Sequence, residues 1–222
     1  MRKDKTSELN AREYAENLSH ELLTPLAIIR SKAELLLQSS HLDKQDLQHI
    51  DVILKTVQRM SRLNQALIIL SKIENNLFVD EEALDMKEVV ADSLEKFEDQ
   101  IRQRSLSVRF AKVSENHSLR SNPNLMEILV SNLIKNAVFH NVDKGYIHIS
   151  LSDSTLSIEN ATSGKALPRN HFDRFVSGEN KSGSHGLGLA IVQQICNQLH
   201  YTIETAIADR QYSTSIHFKN NP

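Results

Sequence analysis

The sequence predicts two domains of different class, a long helical hairpin followed by an α+β layer. Three observations carry this. No glycine occurs before Gly145, and only Pro25 interrupts the first 122 residues. That stretch is rich in Leu, Glu, Lys, Gln and Ala, the residues that cost a helix least. Beyond about residue 106, short alternating apolar runs appear between helical segments, the pattern of strands interleaved with helices.

The first helix is expected over about Thr6–Gln38, with Leu18, Leu22, Leu26, Ile29, Ala33 and Leu36 at mixed three- and four-residue spacing. The segment SSHLD breaks it, with Ser39, Ser40 and Asp43 as turn and cap residues. A second helix is expected over about Lys44–Asn75. Its stripe is Leu47, Ile50, Ile53 or Leu54, Val57, Met60, Leu63, Leu67, Leu70 and Ile73, close to a 3.5-residue repeat. Each helix would be roughly 45–50 Å long at about 1.5 Å per residue. Two helices bury one seam, and both stripes are wide. A partner hairpin would cover them as a symmetric four-helix bundle; packing by the second domain is the alternative.

Asn75–Asp85 reads as a linker. Met86–Gln103 then reads as a helix, Leu106–Val113 as a strand and Asn124–His140 as a helix. Tyr146–Leu151 and the run through Leu156 and Ile158 are strands joined by a turn at Ser152–Thr155. Ala161–His185 reads as a loop and Gly186–Leu199 as an apolar helix. Tyr201–Ile207 and Tyr212–Phe218 form a closing hairpin.

Composition narrows the function classes. The 222 residues suffice for two domains, and 40% apolar with 24% charged residues supports a packed core. Tryptophan is absent and aromatics are 5%, so that core must be mainly aliphatic. A net charge of −2 argues against nucleic-acid binding through bulk positive charge. The single cysteine, Cys196, excludes an internal disulfide and a thiolate metal cage. The longest apolar run, Ala66–Leu70, is far short of a membrane span, and MRKDKTSELN lacks the apolar core of a signal peptide. The chain is therefore expected to be soluble as it stands.

Three segments carry chemistry. In SHELLTPLAIIR, His20 and Thr24 are four apart and share a helical face, and Glu21 adjoins His20. Pro25 removes a backbone donor there. A neutral imidazole beside a carboxylate can act as a nucleophile with the carboxylate taking its proton. Taken alone, a helix histidine reads more simply as a solvated surface residue. No second His or Cys lies three or four residues away to make a metal pair. In NLIKNAVFHN, Asn132 and Asn136 are likewise four apart. Two amides on one face can hold phosphate oxygens or hydrated Mg²⁺; they can also be ordinary surface asparagines. In GSHGLGLAIVQQI, three glycines precede an apolar helix, where exposed N–H groups at the positive helix end suit phosphate. The spacing matches neither a P-loop nor a dinucleotide fingerprint.

Taken in this order, the segments resemble a sensor histidine kinase of two-component signalling. SHELLTPL resembles that family's H-box and NLIKNAVFHN its N-box. FDRF (Phe172–Phe175) resembles its F-box, and GSHGLGLAIV its second glycine box. The resemblance spans about Glu16–Ile195. It implies a dimerisation and histidine-phosphotransfer hairpin over 1–76. An ATP-binding α/β sandwich over 77–222 would follow, of the type shared with certain chaperone ATPases and topoisomerases. By the same resemblance, His20 takes the γ-phosphoryl group of ATP, Glu21 handles its proton, and Thr24 places water for dephosphorylating a response regulator. Asn136 ligates Mg²⁺ with Asn132 nearby, and His140 supplies a hydrogen bond. Gly186, Leu187 and Gly188 border the triphosphate. Phe172 and Phe175 anchor a lid over roughly 164–185, where Lys181 and Arg174 are cations for phosphate. The implied partners are a second copy, through the hairpin, and a receiver domain. The implied location is the cytoplasmic portion of an inner-membrane sensor, with any membrane segment lying outside this chain. A nucleotide-binding scaffold without phosphotransfer and a chaperone-like ATPase are the competing readings; the latter leaves the H-box without a purpose.

The sequence departs from the family in three segments. Leu23 stands where a basic residue is usual, and Phe139 where the N-box often has a cation. In the first glycine box, Asn160 stands at the adenine-binding Asp, Thr162 at the first Gly, and Gly164 at the second. Asparagine keeps a carbonyl acceptor without the charge, a loss of about 1 kcal/mol. Weakened ATP affinity is the expectation.

Overall fold

The computed structural model describes residues 22–39, 41–114, 117–163 and 187–218. The chain divides into two units, one ending at Leu77 and the other starting at Phe78.

The first unit is the hairpin. Helix α1 covers residues 22–36 of the described chain, and α2 is Lys44–Glu74. Asp43 starts α2 through a capping box. Its carboxylate accepts from Gln45 N at 2.7 Å and Asp46 N at 2.8 Å, and Asp46 accepts from Asp43 N at 3.1 Å. The helix ends in a Schellman pattern. Leu77 N donates to Lys72 O at 3.0 Å and Asn76 N to Ile73 O at 2.9 Å, with Asn76 left-handed at φ 51°.

The single stripe expected on α2 separates into two rows. Ile50 and Val57 are buried, as are Leu26 and Ala33 on α1. Leu22, Ile29 and Leu36 on α1, and Ile53, Met60 and Leu67 on α2, recur at seven-residue intervals. They are exposed, from 41% (Ile53) to 53% (Leu36). A two-helix seam is too narrow to cover both rows of each helix.

The second unit is a two-layer sandwich. Strands β1 (Glu82–Asp85) and β3 (Ser118–Ser121) form a small antiparallel pair. Strands β2 (Ser107–Val113), β4 (Tyr146–Leu151), β5 (Thr155–Ala161), β6 (Thr202–Ala208) and β7 (Gln211–His217) form a sheet ordered β2-β4-β5-β7-β6. Only β2–β4 is parallel. Helices α3 (Met86–Glu95), α5 (Pro123–Phe139) and α6 (Gly188–Leu199) form the helical layer. There α5 packs on α3, α6 and β5, and α6 on β6.

Strand alternation builds the core. Ile147, Ile149 and Leu151 of β4, Leu156 and Ile158 of β5, and Ile216 of β7 are all essentially inaccessible. Leu125, Met126, Leu129, Val130, Leu133 and Ile134 of α5, which packs on β5, are buried as well. The opposite sheet face is polar, with Ser157 Oγ 2.8 Å from Ser215 Oγ and Thr155 Oγ1 3.2 Å from His217 Nδ1. Asp209 and Arg210, both with positive φ, make the two-residue β6–β7 turn.

Three expectations are corrected. The helix expected over Met86–Gln103 is two helices, α3 and α4 (Glu98–Gln103). Phe97 N bonds Leu94 O at 3.0 Å, tightening the turn, and the Phe97 ring meets Phe139 edge-on with centroids 6.5 Å apart. The linker expected over Asn75–Asp85 contains β1, stabilised by a partner strand more than thirty residues later. Helix α5 begins one residue earlier than expected, because Asn122 caps it (Leu125 N to Asn122 Oδ1, 3.0 Å) and Pro123 takes the first helical position. Among the described residues, no helix is long and apolar enough to cross a membrane.

Candidate functional site

Helix α5 buries Leu129, Leu133, Ala137 and their neighbours, which leaves the half-buried Asn132 and Asn136 together on another face. Asn132 Nδ2 donates to Ile128 O at 2.8 Å, which orients the amide and its Oδ1. Both amides face the start of α6. A Cβ added to Gly188 would lie 3.1 Å from Asn132 Oδ1 and 3.9 Å from Asn136 Oδ1. Glycine therefore lets the α6 backbone approach two amide oxygens closely. Leu187, buried at the cap position, provides no side-chain cap for α6. The first N–H groups of a twelve-residue helix and two carbonyl-type oxygens thus share one place. N–H groups at a helix start suit phosphate oxygens. Amide oxygens suit a hard cation that keeps its waters. The described residues hold no cluster of three or more His, Cys, Asp or Glu side chains for an all-protein metal cage. The donor set therefore fits Mg²⁺ carried with phosphate oxygens.

Asn160 lies on the next inward position of β5 after Leu156 and Ile158, and is 1% exposed. Its Nδ2 donates to Ala161 O at 2.8 Å. That bond uses one hydrogen of the amide, and Oδ1 is its acceptor atom. Thr162 N bonds Arg210 O at 2.8 Å, fixing the chain just beyond β5.

His140 is the exposed C-cap of α5. Phe139 does not stand in for a cation: its ring is engaged by Phe97. Asn141, within the segment singled out by sequence but given no role there, is 1% exposed and ties the end of α5 to β4 (Nδ2 to Tyr146 O, 2.9 Å). Burial of Cys196 in α6 pushes its thiol up to about 12, so it is no nucleophile.

Thr24 is exposed on α1 and lines an open groove with Ala27, Ile28, Ser31 and Lys32. His20, Glu21, Gly164, Phe172, Arg174, Phe175, Lys181 and Gly186 lie outside the described residues. Of the expected nucleotide-site residues, the structure brings Asn132, Asn136, Leu187 and Gly188 together, with Asn160 on the adjoining strand.

The chain thus pairs a helical hairpin with a sandwich whose asparagine amides meet a glycine-opened helix start. Comparison with known proteins gives the family. Residues 10–76 match the His Kinase A (phospho-acceptor) domain. Residues 121–220 match the Histidine kinase-, DNA gyrase B-, and HSP90-like ATPase family. With both domains present in this order, the chain belongs to the sensor histidine kinases and comprises their kinase core. The heme sensor protein HssS of Staphylococcus saprophyticus is 27% identical over 218 residues, covering 94% of this chain and 46% of that protein. The sensor histidine kinase HprS of Escherichia coli K12 is 28% identical over 196 residues, covering 85% and 42%. The chain thus spans a little under half the length of these relatives. The solved structure of Acinetobacter baumannii histidine kinase AdeS superposes with a TM-score of 0.64 at 25% identity, covering 91% of this chain and 98% of that one.

Proposed function

We propose that the chain is an ATP-dependent protein-histidine kinase. His20 takes the γ-phosphoryl group of ATP and passes it to an Asp of a response regulator. In the first step a ring nitrogen of neutral His20 bonds to the γ-phosphorus as the bond to the β,γ-bridging oxygen breaks. ADP leaves, and Glu21 accepts the imidazole proton. Asn136, with Asn132 nearby, would hold Mg²⁺, which would supply charge neutralisation on the phosphates. Asn160 Oδ1 accepts from the adenine amino group. The α6 N–H groups from Gly188 onward orient the triphosphate, flanked by Gly186 and Leu187. His140, Gly164 and Lys181 complete the site. Thr24 orients water for the reverse duty, dephosphorylating the regulator.

The domains are the phosphotransfer hairpin, 1–76, and the ATP-binding domain, 77–222. Phosphoryl transfer requires His20 of one to reach the nucleotide of the other. The seven-residue rows of exposed apolar residues on both helices support a homodimer through the hairpin. A cytoplasmic location, where ATP is available, follows from the same reading.

The observation that carries the proposal is the convergence of Asn132, Asn136 and Gly188 at the start of α6. Calorimetric titration with ATP and Mg²⁺ tests it. Asn136→Ala should weaken binding by about tenfold or more, the loss of a charge-assisted contact. Asn160→Asp should tighten it several-fold. Wild-type protein that binds no nucleotide would refute the proposal. A second reading, a dimeric nucleotide-binding scaffold or phosphatase without kinase activity, is favoured by the neutral Asn160 and by Phe139, whose ring is engaged with Phe97.

A further inference from the structure

The end of α5 is held by a residue from outside it. A helix finishes with carbonyls that have no partner within it, and α5 has no basic residue in its last turn. Arg104, between α4 and β2, takes that place. Its Nη1 donates to Val138 O and, at 3.2 Å, to Phe139 O; its Nη2 donates to Asn141 O at 2.6 Å. Its Nε meets Asp143 Oδ1 at 2.9 Å. Asn141 Nδ2 covers the neighbouring carbonyl, Ala137 O, at 3.0 Å. The Arg104 backbone is fixed as well, its carbonyl accepting from Lys144 N at 2.9 Å. Gly145 makes room for this arrangement, since a Cβ there would lie 2.1 Å from Asn141 Oδ1. A guanidinium spread over three carbonyls also opposes the negative end of the helix dipole.

We infer that Arg104 is a positioning residue for the nucleotide site. Its guanidinium is taken up by Val138 O, Phe139 O, Asn141 O and Asp143. It fixes the final turn of α5, and with it Asn136 and His140, in the position from which they meet ATP. The inference rests on the reading of α5 as the nucleotide-binding helix. The planar fork of arginine suits several acceptors at once; a lysine ammonium cannot span them.

The test uses the full chain with Arg104→Gln, Arg104→Lys and Asp143→Asn. A remote destabilising control, Ile203→Ala on β6, is run beside them. Arg104→Gln should weaken Mg²⁺–ADP binding by about three- to tenfold, as expected for lost charge-assisted hydrogen bonds. It should also speed amide exchange at residues 137–141 by about tenfold or more, the signature of a locally opened turn. Arg104→Lys should restore only part of both. Asp143→Asn, at a carboxylate 80% exposed, should shift both in the same direction by less, and carries the test if Arg104→Gln fails to fold. Ile203→Ala should lower stability without changing affinity. If Arg104→Gln behaves like Ile203→Ala, losing stability with wild-type affinity and unchanged relative exchange at 137–141, the positioning role is refuted. If wild-type protein binds no nucleotide, the function proposed above fails and this role with it.

Discussion

The hairpin and the sandwich treat apolar residues in opposite ways. In the sandwich, Val90, Leu125, Met126, Leu129, Ile134, Ile147, Ile149 and Leu156 are completely inaccessible. In the hairpin, six Leu, Ile and Met residues at seven-residue spacing stay more than 40% exposed beside rows that are buried. The sandwich closes its core with its own sheet and helices. The hairpin closes only half of one. Covering a large apolar side chain is worth about 1.5–3 kcal/mol. The exposed rows therefore represent a large unspent driving force for association. The sandwich covers its own core, whereas the hairpin leaves apolar rows open that the proposed homodimer would cover.

The comparison can be sharpened by substitution. The largest expected effect is in the sandwich. Ile158→Ala removes a buried β5 residue, and chemical denaturation should show a loss of about 2–5 kcal/mol. A loss below about 1 kcal/mol would mean that the core is not closed as described. In the hairpin, the triple change Ile53→Ser, Met60→Ser and Leu67→Ser should leave the helices formed and convert a sedimenting dimer to monomer. A dimer that persists would place the interface elsewhere.

The smallest effect is electrostatic. Partial desolvation opposes ionisation of Asp85. The N–H groups of Glu88 and Lys87, and then His117 Nε2 at 3.1 Å, outweigh it and hold the carboxyl below its usual range. A lowered carboxyl pKa gives stability that is present above the unfolded value and lost as pH falls through the folded one. Denaturation midpoints between about pH 5 and pH 2 should therefore decline less steeply in Asp85→Asn than in wild type. Parallel curves would show that Asp85 contributes nothing.

What the sequence made legible follows the range of the interactions. The capping box at Asp43, the Pro123 start and the Asp209–Arg210 turn are local, and the sequence places them within a residue or two. Asn132 and Asn136 were readable as a pair because four residues put them on one helix face. What escaped was set by distant partners. Strand β1 exists through β3, the break at Phe97 through Phe139, and the grip of Arg104 on α5 through atoms 34 to 39 positions away. The hydrophobic repeat of α2 showed which residues are apolar. It could not show that two rows face different ways, because that depends on which row α1 covers.

The central claim is phosphoryl transfer to His20, and incubation with γ-labelled ATP and Mg²⁺ tests it most directly. Wild type, His20→Ala and Asn136→Ala would be compared, and the label's stability followed in acid and base. The account predicts an acid-labile, relatively base-stable label on wild type, none on His20→Ala and a strongly reduced amount on Asn136→Ala. Nucleotide binding without any label in wild type would contradict it, and would put the scaffold or phosphatase reading in its place.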